Sequence, residues 1–330
     1  MTQPRASLVC VSDTPYYHCI SRCVRRAFLC GEDGYTGHSF EHRRDWFIER
    51  LARLTEVFTI EVCAYAVMSN HCHLVVNIDV DKAKELTVDE VIDRWCRLYR
   101  GPEVVQRYRA GRSLTNAERG SVSTIAAVWR ARLSDLSWFM RCLNEHIARR
   151  ANAEDQCTGR FWEGRFKSQA LLDETALITA MAYVDLNPIR SGQATTLAGS
   201  DKTSVKQRLE EVTQQTKDAP TVVLTPFAGR VNHTDTGLPF NLQDYLNLVD
   251  WTGRGVREGK RGAIDPGSPR LLTQLGIAHD HWLPTVTQMQ SRFESVMGSP
   301  EKMKAHAESR GGRFYRGYRH AVRFYQRLAA

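Results

Sequence analysis

Two histidines stand one residue apart in the stretch MSNHCHLVV, residues 68–76, where an apolar run begins. In a strand, side chains alternate between faces, so His71 and His73 share one face while Cys72 and Leu74 take the other. Neutral imidazoles side by side can hold a metal ion, because each offers a nitrogen lone pair. An H-x-H pair also arises as ordinary hydrogen-bonded surface or core histidine, so it needs support from elsewhere in the chain. A second candidate stretch is AYVDLNPIRSG, residues 182–192, where Tyr183 and Asn187 are one helical turn apart. Both fall off the apolar stripe of Leu177, Ala180, Met181 and Val184, which places a phenol and an amide on one exposed helix edge. A phenol becomes a nucleophile once its proton is removed.

The segments around these residues read as a small layered unit. YYHCIS, residues 16–21, is rich in β-formers, and Phe47, Leu51, Leu54 and Phe58 recur at helical spacing from Arg44 onward. TIEVCAYAVM and HCHLVVNI, separated by a Ser-Asn turn, form a predicted hairpin. Residues 80–130 mix charge with Gly101, Pro102 and Gly111 and read as a helical insertion. A helical period returns through Leu136, Phe139, Leu143 and Ile147, and GRFWEGRFKSQALL runs from a basic aromatic loop into a strand. The helix that follows opens on an Asp cap and closes on Pro and Gly. The fold class is therefore α+β, with residues 1–200 as the catalytic unit, 201–240 as a Pro- and Gly-punctuated connector, and 241–330 as a helical, basic C-terminal region.

Composition narrows the class. With 42% hydrophobic and 25% charged residues, the 330-residue chain is that of an ordinary globular protein. Lys and Arg number 45 against 37 Asp and Glu, an excess that favours a polyanionic partner. Nine cysteines without a repeated C-x-x-C describe neither a disulfide framework nor a zinc ribbon, and Cys19, Cys23 and Cys30 read as buried thiols. No stretch reaches the roughly 18 apolar residues of a membrane span, and the opening residues lack the apolar segment of a secretion signal. A cytoplasmic protein is expected. No Gly-Lys-Ser/Thr phosphate loop is present, so nothing points to nucleotide-driven chemistry.

Four segments in order, YYHCISRCVRR, AYAVMSNHCHLVV, GRFWEGRFKSQALL and AYVDLNPIRSG, resemble the REP-associated tyrosine transposases and other single-tyrosine HUH transposases. The resemblance covers roughly residues 14–195, interrupted by the helical insertion. It implies a ferredoxin-like antiparallel sheet bearing the histidines and a metal site of His71, His73 and Asn187 for Mg²⁺ or Mn²⁺. It also implies attack by Tyr183 on single-stranded DNA near imperfect hairpins or palindromes, leaving a 5′-phosphotyrosine and a free 3′-hydroxyl. Relatives of this kind include monomers and homodimers and act in the bacterial cytoplasm at the nucleoid. Two departures from the family pattern, Ser69 and Cys72, remove no ligand.

Basic and aromatic residues supply a DNA surface. Arg22, Arg25, Arg26, Arg160, Arg165 and Lys167 can meet phosphates, and Phe161 and Trp162 can offer stacking faces. Residues 300–330 carry eight Lys and Arg against two Glu, interleaved with five aromatic residues, a pattern that favours nucleic acid. Because the chemical motifs all precede residue 195, removal of residues 221–330 is expected to weaken DNA binding more than chemistry. Two other functions compete: a DNA-binding regulator without catalysis, and a metallohydrolase that uses H-x-H and needs no Tyr183.

Overall fold

The computed structural model describes residues 8–24, 28–213, 221–229, 237–258 and 269–326. A five-stranded sheet forms its centre, in the order β2-β3-β1-β4-β5. The strands are β1 (Tyr16–Arg22), β2 (Ile60–Val67), β3 (His71–Ile78), β4 (Lys167–Leu171) and the two-residue β5 (Val296–Met297). The first four pair antiparallel, and β5 lies parallel to β4. The Ser69-Asn70 turn between β2 and β3 sets a hairpin register in which Val67 faces Cys72 and Ala66 faces His73. Across β1 and β3, Ile20 faces His73 and Arg22 faces His71, while His18 faces Gln169 on β4. Alternation therefore collects His18, Ile20, Arg22, His71, His73, Lys167 and Gln169 on one face. Tyr17, Cys19, Ser21, Cys72 and Leu74 belong to the other.

That second face is covered by α1 (Arg43–Val57) and α6 (Leu136–Glu154), which pack on each other and bury Phe47, Leu51, Leu54, Phe139 and Leu143. Asn144 on α6 donates to the Ser21 hydroxyl at 2.8 Å, tying the helix to β1. Arg43 is fully buried between the two helices, which is tolerable because its guanidinium reaches Glu154 at 2.6 Å, Asp155 and the Phe28 carbonyl at 2.8 Å. Between β3 and α6 run α2 (Val80–Glu85), α3 (Val88–Cys96), α4 (Glu103–Arg109) and α5 (Asn116–Leu133). Reciprocal capping boxes, Thr87 with Glu90 and Thr115 with Glu118, begin α3 and α5. Trp95 and Trp129 stack across them, and Gly101 is needed where φ is +75° and a Cβ would meet Trp129 at 2.8 Å.

The histidine-bearing face is covered by α7 (Glu174–Asp185), which leads through Leu186 into α8 (Asn187–Arg190). After α9 (Ser204–Val212) come α10 (Leu242–Glu258), α11 (Arg270–Leu275), α12 (His279–Thr287), α13 (Met289–Arg292), α14 (Pro300–Glu308) and α15 (Tyr318–Phe324). Thr203 and Leu224 bridge to β2, so this edge strand is covered. Tyr245, Trp282, Val286, Met289 and Phe293 are buried in the same core cluster as the sheet. Described residues between 221 and 330 thus supply β5 and part of the apolar interior around α7. The exposed edge foreseen for Tyr183 is corrected. Every α7 residue after Glu174 is buried, because α12 and α13 lie over the helix and leave it no solvent side.

Candidate active site

The site is built where α7 crosses the sheet. Gln169 on β4 donates its amide Nε2–H to the Phe293 carbonyl at 3.0 Å, which turns its oxygen toward His18. A carbonyl only accepts, so this contact settles the amide orientation. His18 Nδ1 must then donate to Gln169 Oε1, at 3.3 Å, leaving His18 Nε2 as an acceptor. His73 Nδ1 lies 2.9 Å from that nitrogen and must be the donor. The consequence is a neutral His73 whose Nε2 carries a lone pair, and this atom is buried with no hydrogen-bond partner. His71 reaches the same state by a shorter route: Nδ1 donates to Asn70 Oδ1 at 2.6 Å, freeing its Nε2. The two rings stand edge to face, 4.9 Å apart.

Burial keeps these rings neutral. It pushes His18 and His71 down to about 4, with Arg22 adding to the effect on His71. His73 lies well below its ordinary value through burial first, then the neighbouring His18, His71 and Arg190. The pair suits a divalent cation in its tautomers, its charge state and the hydrogen bonds that orient each ring from behind. Among the described residues no group of three or more His, Cys, Asp and Glu side chains is placed to hold a metal. The described cysteines are all free, and Cys19, Cys23 and Cys30 are buried thiols. His18 has both nitrogens engaged, so it supports the pair and is not itself a donor to a cation.

Tyr183 is brought against His73 and His18, its ring 5.5 Å from the first and 5.8 Å from the second. It is 4% exposed, and its hydroxyl donates to Gln290 Oε1 on α13 at 3.0 Å. Arg190 lies over its ring face at 4.3 Å and is held there by donating to the Thr287 carbonyl at 2.7 Å. Asn187, one turn beyond Tyr183, is 7% exposed, and among the described residues its side chain makes no hydrogen bond. No hydrogen bond joins it to the imidazoles.

A cavity of about 310 Å³ opens beside the site, lined by Ile20, Arg22, Arg165, Lys167 and Gln290, with Glu163 as its one carboxylate. Three of the sequence-derived phosphate contacts thus meet next to the residue that holds the tyrosine hydroxyl. The other nucleic-acid candidates separate. Arg160 is exposed, Trp162 is half-buried with its indole N–H on the Asn144 carbonyl at 2.8 Å, and Arg25 and Arg26 lie outside the described residues. Phe161 is 3% exposed and packs in the core, which corrects its assignment as a stacking face.

Four site residues escaped the sequence reading: His18, Gln169, Arg190 and Gln290. The first was legible in principle, since a histidine in YYHCIS shares strand parity with Ile20 and Arg22. Gln290 carries no such signal, because only the tertiary path brings α13 onto α7.

No protein-family model matches this sequence, and no curated protein matches it. A solved structure of a REP-associated tyrosine transposase bound to a REP hairpin is similar at 11% identity and a TM-score of 0.36, covering 72% of this chain and 97% of that one. A likeness this distant carries no argument about function. Among the described residues no helix is long and apolar enough to cross a membrane.

Proposed function

We propose that this chain is a divalent-metal-dependent endonuclease and strand transferase for single-stranded DNA, of the single-tyrosine HUH class, acting at hairpin or palindromic sites. The observation that carries this reading is the placing of Tyr183 against His73, whose ring stands edge to face with His71, both imidazoles having tautomers that leave Nε2 free. The four ordered sequence motifs support it, as does the strand order β4-β1-β3-β2 with α1 and α6 on one face, which fits a ferredoxin-like arrangement. His71 and His73 would hold Mg²⁺ or Mn²⁺, with the uncommitted amide of Asn187 as a further oxygen donor. Such an ion supplies Lewis-acid polarisation of the phosphoryl group.

The protein's own residues do the rest. Arg22, Arg165 and Lys167 draw the phosphate backbone into the cleft. The Tyr183 oxygen attacks phosphorus, the P–O3′ bond breaks, and the phenolic proton is matched by one gained at the departing 3′ oxygen. Phosphodiester energy is kept in the phosphotyrosine, so a different 3′-hydroxyl can complete strand transfer. Residues 1–200 carry Tyr183 and the imidazoles, 241–330 complete the site through Gln290 and Phe293 and supply the DNA-binding region, and the protein acts as a monomer or homodimer. Strand entry requires Gln290 to release the hydroxyl and α13 to uncover Tyr183. That burial favours one second reading, a regulator that binds DNA without cutting it. Incubation of labelled single-stranded hairpins with Mn²⁺ separates the two: the proposal expects cleavage that disappears in His71→Ala and in His73→Ala, whereas intact DNA with undiminished binding would favour the regulator.

A further inference from the structure

α13 separates two concavities. Gln290 lines the cleft beside Tyr183, and the next residues, Ser291 and Arg292, line a second cavity of about 640 Å³ formed with the segment Phe314–His320. The chemistry proposed above makes no use of this cavity. Its size falls within the roughly 300–1,000 Å³ of small-ligand sites.

Its walls combine two chemistries. Phe314 is 67% exposed, an unusual position for so large an apolar ring, and lies against Tyr318 with centroids 5.4 Å apart. Arg292, Arg316 and Arg319 also line the cavity. Among the described residues no acidic side chain pairs with these arginines or with Arg323. Arg323 lies near enough to Arg292 and His320 to disfavour their charged forms, beyond the effect of burial. Like charges gathered without a counterion mark a place for an anion. The cavity is also a built feature of the fold. Gly317 takes φ +103°, and a Cβ there would stand 2.7 Å from both the Arg292 carbonyl and the Phe293 ring, so only glycine lets the segment close onto α13.

We infer that the cavity formed by Arg292, Phe314, Arg316, Tyr318, Arg319 and His320 is a binding site for one unpaired nucleotide of a single strand. Its base stacks on Phe314 and its phosphates meet the arginines. An aromatic face flanked by guanidinium groups fits a nucleotide better than a free inorganic anion, which has no use for the exposed ring. The position fits as well, since α13 lends Gln290 to the Tyr183 cleft and Ser291 and Arg292 to this cavity. The inference rests on the single-strand reading above and deepens it by placing a second contact point.

The test uses the full-length protein and a fluorescein-labelled mixed-sequence single strand of about 16 nucleotides, read by anisotropy. Phe314→Ala should weaken binding by about 5- to 150-fold, and Phe314→Trp should restore it. Arg316→Ala with Arg319→Ala should lower the slope of log affinity against log salt by about 0.7 for each phosphate no longer neutralised. Replacing bases one at a time by abasic sites should reveal one position whose removal reproduces Phe314→Ala and adds nothing to it. Unchanged affinity in Phe314→Ala overturns the inference, as does an equal weakening for a duplex of the same sequence, which would mark a general charged patch. Assaying the wild-type protein for a Tyr183 adduct on a denaturing gel beside the binding measurement keeps the two readings apart. Stacking-dependent binding without a Tyr183 adduct sustains the cavity and sinks the chemistry; an adduct with normal binding by Phe314→Ala does the reverse.

Discussion

Replacing His18 by Phe isolates the support given to His73. The phenyl ring preserves the aromatic packing seen at 5.1 Å from His73 and 5.8 Å from Tyr183, but it accepts no hydrogen bond. His73 Nδ1–H, now 2.9 Å from an acceptor, is then stranded in a fully buried setting. An unsatisfied buried donor costs about 1–3 kcal/mol. His73 can also recover by moving its proton to Nε2, the atom proposed to hold the cation. Removing an outer hydrogen-bond partner of this kind typically weakens metal affinity about 10- to 100-fold. Isothermal titration with Mn²⁺ on folded His18→Phe should show that weakening, and His18→Gln, whose amide oxygen can accept again, should recover part of the affinity. Wild-type Mn²⁺ affinity in a folded His18→Phe protein would refute the relay from Gln169 through His18 to His73.

Metal-free protein should lose stability as pH falls from about 6.5 toward 4, by up to about 1.4 kcal/mol per unit for each imidazole held down by burial, because the unfolded chain takes up protons that native His18, His71 and His73 refuse. Asp185, raised to about 6 by burial, works in the opposite sense below that value and offsets one imidazole; urea titrations showing flat stability between pH 6.5 and 5 would contradict the assignment. Asp185→Ala should cost about 2–5 kcal/mol in the same assay, since the carboxylate accepts from Ser204, from Val205 N–H at 3.0 Å and from Tyr245, joining α7 to α9 and α10. Gln290→Ala should speed phosphotyrosine formation about 2- to 10-fold at saturating DNA, because one hydrogen bond no longer holds the hydroxyl. A slower reaction there would mean that Gln290 assists the chemistry.

Local pattern carried the reading of the strands and of the histidine pair. The alternation through HCHLVV, the Ser-Asn turn and the helical period of Phe47, Leu51 and Leu54 all emerge as elements in the predicted places. Each is a short-range signal that tertiary contacts reinforce. Burial of Tyr183 was illegible for the opposite reason. The polar edge of α7 is set by what lies over it, and α12 and α13 arrive from a segment about a hundred residues away. β5 escaped as well, because two residues, Val296 and Met297, form no periodic pattern and pair only through the edge that β4 offers them. Phe161 illustrates a third limit, since a basic aromatic loop looks alike whether its ring faces solvent or core.

If Tyr183 is the nucleophile, it must become covalently joined to DNA, and peptide mapping of the adduct identifies the residue that attacked. Single-stranded hairpin oligonucleotides labelled at the 3′ end, drawn from palindromes flanking the gene, are incubated with protein and Mg²⁺ or Mn²⁺ and resolved on a denaturing gel. The expected outcome is a band carrying the label, mapped to the peptide containing Tyr183 and absent in Tyr183→Phe while DNA binding persists. An adduct mapped to another tyrosine, or cleavage that survives Tyr183→Phe, would show that Tyr183 is not the attacking group.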